Sequence, residues 1–228
     1  MEAVESPVQP VERGRGLVYV VEDDDAIRDS MGRLLSAAGR EVRLFRDARS
    51  FLLQWLPSSG PSVLVLDVRL PGMEGPELQE RLIGLGVPLP VIFVTGHGTV
   101  PMSVRAMKLG AVDFIEKPFR AQVLLDQIER ALTQDEARLR KEEHVRALRE
   151  RLSVLTPRER EVADRVVDGA SSREAGIRLG ISEKTVALHR AHIMSKLRVD
   201  CVADLVRLIM DARAVGASPT PGTGTDTP

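Results

Sequence analysis

A single cysteine, Cys201, occurs in 228 residues. One thiol excludes an internal disulfide and any cysteine-built metal cluster. No apolar run approaches the ~20 residues a helix needs to cross a bilayer. The opening residues, Met1-Glu2-Ala3-Val4-Glu5-Ser6-Pro7, lack the basic segment followed by an apolar segment that marks a signal peptide. These absences predict a cytoplasmic protein with no membrane partner. A strong charge of one sign is also missing, since 32 Lys+Arg stand against 33 Asp+Glu. The balance hides a mild asymmetry. Residues 151–216 hold 12 basic and 9 acidic side chains, and residues 1–150 hold 20 and 23. A more basic C-terminal part is compatible with nucleic-acid binding.

What is present is a 43% apolar fraction, enough for real cores, in a chain long enough for one large domain or two small ones. Residues 1–16 are polar and proline-bearing. Residues 215–228 include Ser218-Pro219-Thr220-Pro221-Gly222-Thr223. Both ends are expected to be disordered, because neither can bury a core.

Between residues 17 and 132, short apolar runs end on polar chemistry. Leu17–Val21 leads into Glu22-Asp23-Asp24, and Val63–Leu66 into Asp67. Val91–Val94 leads into Thr95-Gly96-His97-Gly98, and the run from Val112 to Glu116 into Lys117-Pro118. Helical patterns lie between. Ile27, Met31, Leu34, Leu35 and Ala38 share one helical face, and Gly39 stops that helix. Glu41–Phe45 alternates and reads as a strand at or near a sheet edge. Further helices are marked by Phe51, Leu52 and Trp55; by Pro76 to Gly84; by Val100, Val104 and Met107; and by Leu124, Ile128, Ala131 and Leu132. Five strands alternating with five helices predict an α/β doubly wound parallel sheet. Ligands in such sheets bind beyond the C-terminal strand ends. Glu22, Asp23 and Asp67 would gather there as hard oxygen donors without His or Cys, which suits Mg²⁺. A phosphoryl group on Asp67 could be offset by Lys117 and hydrogen-bonded by Thr95. His97, between two glycines, reads as a surface loop position, and Trp55 as core.

Residues 133–152 form a charged helical stretch. Val145, Leu148, Leu152 and Leu155 have heptad-like spacing, which fits either a short coiled coil or a solvated linker helix. A small all-α four-helix domain follows. Thr156-Pro157-Arg158-Glu159 places a Thr N-cap, a Pro at the first helical position and a Glu at the third, and Ser171 to Glu174 repeats the box. Gly180 turns the chain and Ser182 caps a third helix to about Leu197. A fourth runs from about Val202 to Arg213. On the third helix, Val186, Ile193 and Leu197 lie within about 20° of one direction at 100° per residue. Lys184, Leu188, Ala191 and Ser195 lie opposite, as on a helix-turn-helix recognition helix.

These runs carry a specific resemblance. Residues 17–132 resemble the receiver domain of bacterial two-component response regulators, of the FixJ/NarL type and flavodoxin-like in fold. The resemblance implies that Asp67 accepts a phosphoryl group from a sensor histidine kinase. It implies Mg²⁺ on Glu22, Asp23, Asp67 and the backbone carbonyl of Arg69, with Thr95 and Lys117 on the phosphoryl group. Thr95 and Phe114 would be the switch pair. Glu22 departs from the Asp that many receivers carry. Residues 153–214 resemble the LuxR-type helix-turn-helix, through Leu155 to Val162, Ile181 to Val186, His189-Arg190 and Lys196-Leu197. Lys184, Thr185, Leu188, His189, Arg190, His192 and Lys196 are the implied DNA-contacting residues. His189 and Arg190 are open to either a packing or a phosphate role. Ala187 and Ala191 depart from the family's charged positions. Gly176 is expected to weaken the second helix by roughly 1 kcal/mol relative to Ala.

The implied function is that of a transcription factor, not an enzyme. Its partners would be a kinase, double-stranded promoter DNA, RNA polymerase and, once phosphorylated, a second copy. Two rivals remain. One is a receiver whose helical domain binds protein. The other is a haloacid-dehalogenase-like phosphatase, which would want a second Asp where Arg69 stands.

Overall fold

The computed structural model describes residues 16–96 and 100–216, apart from the side chains of 100, 101, 215 and 216. His97 lies outside the described residues, as do almost all of the two predicted disordered ends. The chain divides into two compact units between Leu139 and Arg140.

Unit one alternates strand and helix: β1 Leu17–Val21, α1 Asp25–Ala37, β2 Glu41–Phe45, α2 Ala48–Gln54, β3 Ser62–Asp67, α3 Gly75–Gly84, β4 Val91–Thr95, α4 Val100–Lys108 and β5 Asp113–Glu116. Helix α5, Ala121–Ser153, starts here and continues beyond Leu139. All pairings are parallel, in the order β2-β1-β3-β4-β5, so β2 is an edge as its alternation predicts. β1, β3 and β4 are buried throughout, because helices cover both faces of a doubly wound sheet. One face packs Tyr19, Phe51, Leu64, Leu66, Leu78 and Phe93, and Trp55 lies against it as expected. The other packs Val20, Leu35, Val65, Ile92, Leu124 and Ile128. Each fully buried Val, Leu, Ile and Phe side chain among them contributes about 1.5–3 kcal/mol by leaving water.

Helix α5 joins two segments that the sequence reading treats separately. Residues 133–152 contain neither Gly nor Pro, so nothing stops the helix that Leu124 and Ile128 anchor. Buried Asp135 fastens it, accepting the Ser62 amide at 2.9 Å and pairing with Arg138 at 2.8 Å. The heptad-like spacing reflects the second unit's own core. Leu148 and Leu155 are buried there, with Leu152 against them, alongside Val162, Val186, Ile193, Leu197 and Leu205.

The second unit contains α6 Pro157–Val167, α7 Ser172–Leu179, α8 Glu183–Leu197 and α9 Val202–Gly216. Both capping boxes are present in full. Gly180 takes the left-handed conformation (φ 67°) that ends α7, and the Ser182 oxygen accepts from the Thr185 amide at 3.1 Å to start α8. Gly176 has a role that propensity does not reveal. A Cβ on it would lie 2.7 Å from the Ile181 carbonyl oxygen, so glycine lets the turn fold back on α7.

Candidate functional site

The parallel register brings the ends of β1, β3, β4 and β5 to one edge of the sheet. Val21 pairs with Leu66, Asp67 with Val94 and Thr95 with Glu116. The next residue out on β1 is Glu22 and on β5 is Lys117. The Lys117 amide donates to the Thr95 carbonyl at 2.7 Å, which fixes where its side chain starts. Lys117 Nζ then reaches Asp67 Oδ2 at 2.8 Å and Glu22 Oε2 at 2.7 Å. Glu22, Asp67 and Thr95 are all buried, and Asp23 is exposed. Oxygens of Glu22, Asp23 and Asp67 lie within 4.8 Å of one another.

Two carboxylates this close need a cation, and Lys117 supplies one. Burial pushes the Glu22 carboxyl up to about 7. The Lys117 ammonium opposes that shift, and the neighbouring Asp67 charge adds to it. Burial alone would lower the Lys117 pKa, but hydrogen bonds and charge from Asp67 and Glu22 outweigh it and hold the ammonium charged. The other Asp67 oxygen, Oδ1, accepts from the Arg69 amide at 3.1 Å. Arg69 itself is exposed. Phe114 is half-buried on β5, its ring 6.2 Å from that of Phe93.

Several supporting residues have no signal in strand-end logic. Asp24 caps α1 by accepting the Ile27 amide at 2.9 Å, and Arg28 donates to the Glu22 carbonyl at 3.0 Å. Gly75 is the closest support. A Cβ there would sit 2.3 Å from the Asp67 carbonyl oxygen, and the Gly75 amide donates to Val68 at 2.9 Å. The loop after Asp67 can lie this close only over a glycine.

In the second unit, α8 buries Val186, Ile193 and Leu197 and exposes Lys184, Ala187, Leu188, Ala191, His192 and Ser195. The inward and outward faces match the helical-wheel reading. The basic residues divide. Lys196 Nζ lies 2.7 Å from buried Glu159, the capping-box carboxylate of α6. The Lys196 hydrogen bond, then the Thr156 amide, pulls the Glu159 carboxyl down to about 2. Arg190 donates to the Ser172 hydroxyl at 3.0 Å, the packing alternative for that residue. His189 is half-buried, and Thr185 is held near Ser182, oxygen to oxygen at 2.7 Å. Arg158 ties α6 to the Leu179 carbonyl, and Arg151 ties the end of α5 to the Leu197 carbonyl, each at 2.6 Å.

Residues 18–129 match the response regulator receiver domain family, and residues 153–209 match the luxR family of bacterial regulatory proteins. Nodulation protein W of Bradyrhizobium diazoefficiens is 43% identical over 194 residues, covering 85% of each chain. The transcriptional regulatory protein FixJ of the same organism is 42% identical over 198 residues, covering 87% of this chain and 96% of FixJ. The chain belongs to the two-component response regulators. The solved structure of response regulator StyR superposes with a TM-score of 0.79 at 42% identity, over 87% of this chain and 100% of StyR. Full-length FixJ from B. japonicum gives 0.54 at 42% identity, over 88% and 98%. This response regulator is a DNA-binding transcriptional regulator with a receiver unit and a luxR-family unit. Its family is one of transcription regulators, generally not enzymes. Among the described residues, no helix is long and apolar enough to cross a membrane.

Proposed function

We propose that Asp67 accepts a phosphoryl group from a sensor histidine kinase, and that this switches DNA binding by the helical unit. The observation that carries the reading is the Lys117 ammonium bridging Asp67 and Glu22 at the common strand edge. An Asp67 oxygen attacks the phosphorus of a phosphohistidine. A P–O bond forms, the P–N bond breaks, and the leaving imidazole keeps the electron pair and takes up a proton. Three hard oxygen donors in one cluster fit Mg²⁺. Glu22, Asp23, Asp67 and the Arg69 backbone carbonyl would hold the ion, which offsets charge on the transferring group. Lys117 neutralises the product beside it, and the Thr95 hydroxyl donates to a phosphoryl oxygen.

The phosphoryl group adds a charge of about −1.5 to −2 at a buried edge. Thr95 moves towards it and Phe114 turns inward, which remodels the surface of α4 and β5. Val104 and Met107 on α4 are exposed apolar side chains of the kind a second receiver would cover. The phosphorylated protein is then a homodimer. Moving a population from 1:99 to 99:1 takes about 5.5 kcal/mol of differential binding. The paired helical units place α8 in the major grooves of promoter DNA, through Lys184, Thr185, Leu188, His189 and His192, and the bound dimer meets RNA polymerase.

The test is a DNA titration on random-sequence duplex pools, with and without beryllofluoride and Mg²⁺, with molecular mass read by light scattering. Tighter selective binding with doubled mass is expected. Selective binding indifferent to beryllofluoride would remove the switch at Asp67, and no selective binding would remove the DNA reading.

A further inference from the structure

The outward face of α8 is unusual for a surface that meets a polyanion. Ala187, Leu188 and Ala191 are all exposed, and Leu188 is 56% exposed. Two of the cations on this helix point their charge at protein groups. Lys196 is paired with Glu159, and the Arg190 guanidinium donates to Ser172. Core packing does not explain Leu188, because Val186, Ile193 and Leu197 already fill the inward face.

We propose that Leu188 is a base-reading residue, and that it recognises the 5-methyl group of a thymine in each half-site. This rests on the DNA-binding reading above. Lys184 stands one turn before Leu188 and His192 one turn after, both exposed and both within about 40° of it around the helix. The apolar side chain is therefore flanked along the helix by two polar groups that can reach base edges or phosphates. In the major groove only thymine presents a methyl group, and apolar side chains read it by contact. A helix ~10–12 Å across fits a groove ~12 Å wide. Alanine at 187 and 191 keeps the neighbouring surface low, so Leu188 is the most prominent apolar group on this face. Its specificity is thus built from contact with a methyl group, where a charged side chain would have read guanine.

The experiment begins with selection of a preferred site by the full-length protein, activated with beryllofluoride and Mg²⁺. Each thymine of that site is then replaced singly by deoxyuridine, which removes the 5-methyl group and leaves base pairing intact. The expected result is one position per half-site where the replacement weakens binding about fourfold, the equivalent of about 0.8 kcal/mol for one buried methyl. Leu188→Ala should bind the thymine and deoxyuridine sites equally. Selective enrichment with no deoxyuridine-sensitive position overturns the assignment and leaves DNA recognition standing. So does sensitivity that persists in Leu188→Ala. Failure to enrich any sequence overturns both, and would leave Leu188 as part of a protein-binding surface.

Discussion

Replacing Gly176 by alanine separates two physical arguments that predict opposite signs. Helix propensity alone says that Gly176→Ala stabilises α7 by about 1 kcal/mol. The packing says otherwise. The new Cβ would lie 2.7 Å from the Ile181 oxygen, with the Glu183 nitrogen at 3.4 Å and the Ser182 carbonyl carbon at 3.5 Å. These are backbone atoms, so no side chain can rotate away. The same turn is pinned from the other side, because the Ile181 amide donates to the Gly176 carbonyl at 3.0 Å. Relief requires α7 and the start of α8 to separate. Overpacking of this kind costs typically 1–3 kcal/mol, and subtracting the propensity gain leaves a net loss of about 1 kcal/mol. For a helical unit of this size, that lowers the melting temperature by roughly 4–8 °C. The assay is thermal unfolding followed by far-ultraviolet circular dichroism, with hydrogen exchange at α7 and α8 amides to locate the change. Exchange should accelerate in those helices and not in the parallel sheet. A variant stabilised by about 1 kcal/mol would refute the close-approach argument.

Gly75→Ala forces the loop off the Asp67 carbonyl, and should abolish phosphoryl acceptance from acetyl phosphate, measured by intact mass, and with it the phosphoryl-dependent tightening on DNA, while the helical unit stays folded by circular dichroism. Mg²⁺ affinity should fall as pH drops below about 7, by up to tenfold per unit, because the ion competes with the proton on Glu22; calorimetric titrations between pH 5.5 and 8 giving a flat affinity would contradict this. The raised Glu22 value also means that, without Mg²⁺, the folded receiver holds a proton the unfolded chain has lost between about pH 4.5 and 7. Its contribution to stability is full below that window and is lost as pH rises through it. Lys196→Met removes the ammonium partner of Glu159, which keeps the Thr156 amide; because Lys196 is partly in solvent, the helical unit should lose only about 1 kcal/mol. The depressed Glu159 pKa gives stability that is present above about pH 4.5 and lost as pH falls towards 2. In Lys196→Met that acid limb should move to higher pH in melts, and the salt dependence of DNA binding should stay the same, because the Lys196 ammonium is engaged with Glu159.

Much of this architecture is written locally. The strand-end residues Asp67, Thr95 and Lys117 stand out because each follows an apolar run, and a parallel sheet gathers such ends at one edge. The capping boxes at Thr156 and Ser171 are readable because their partners lie three residues away. What escaped the sequence depends on contacts between distant residues. Nothing near Lys196 announces that its partner is Glu159, 37 positions earlier. Gly75 and Gly176 look like ordinary loop and helix glycines until the opposing carbonyls are in place. Arg151, Arg158 and Arg28 each hold a carbonyl oxygen, and backbone acceptors leave no mark in a residue pattern. The continuity of α5 was legible in principle, since residues 133–152 carry no helix breaker, but the change in composition at that point suggested a boundary.

The most direct test of the central claim is to treat wild type and Asp67→Asn with acetyl phosphate and Mg²⁺. The phosphorylated peptide is then mapped by mass spectrometry, and operator affinity is measured on the same samples. One phosphoryl group on the peptide carrying Asp67 and tightened operator binding are expected in wild type, with neither in Asp67→Asn. Phosphoryl-dependent tightening that persists in Asp67→Asn would contradict it.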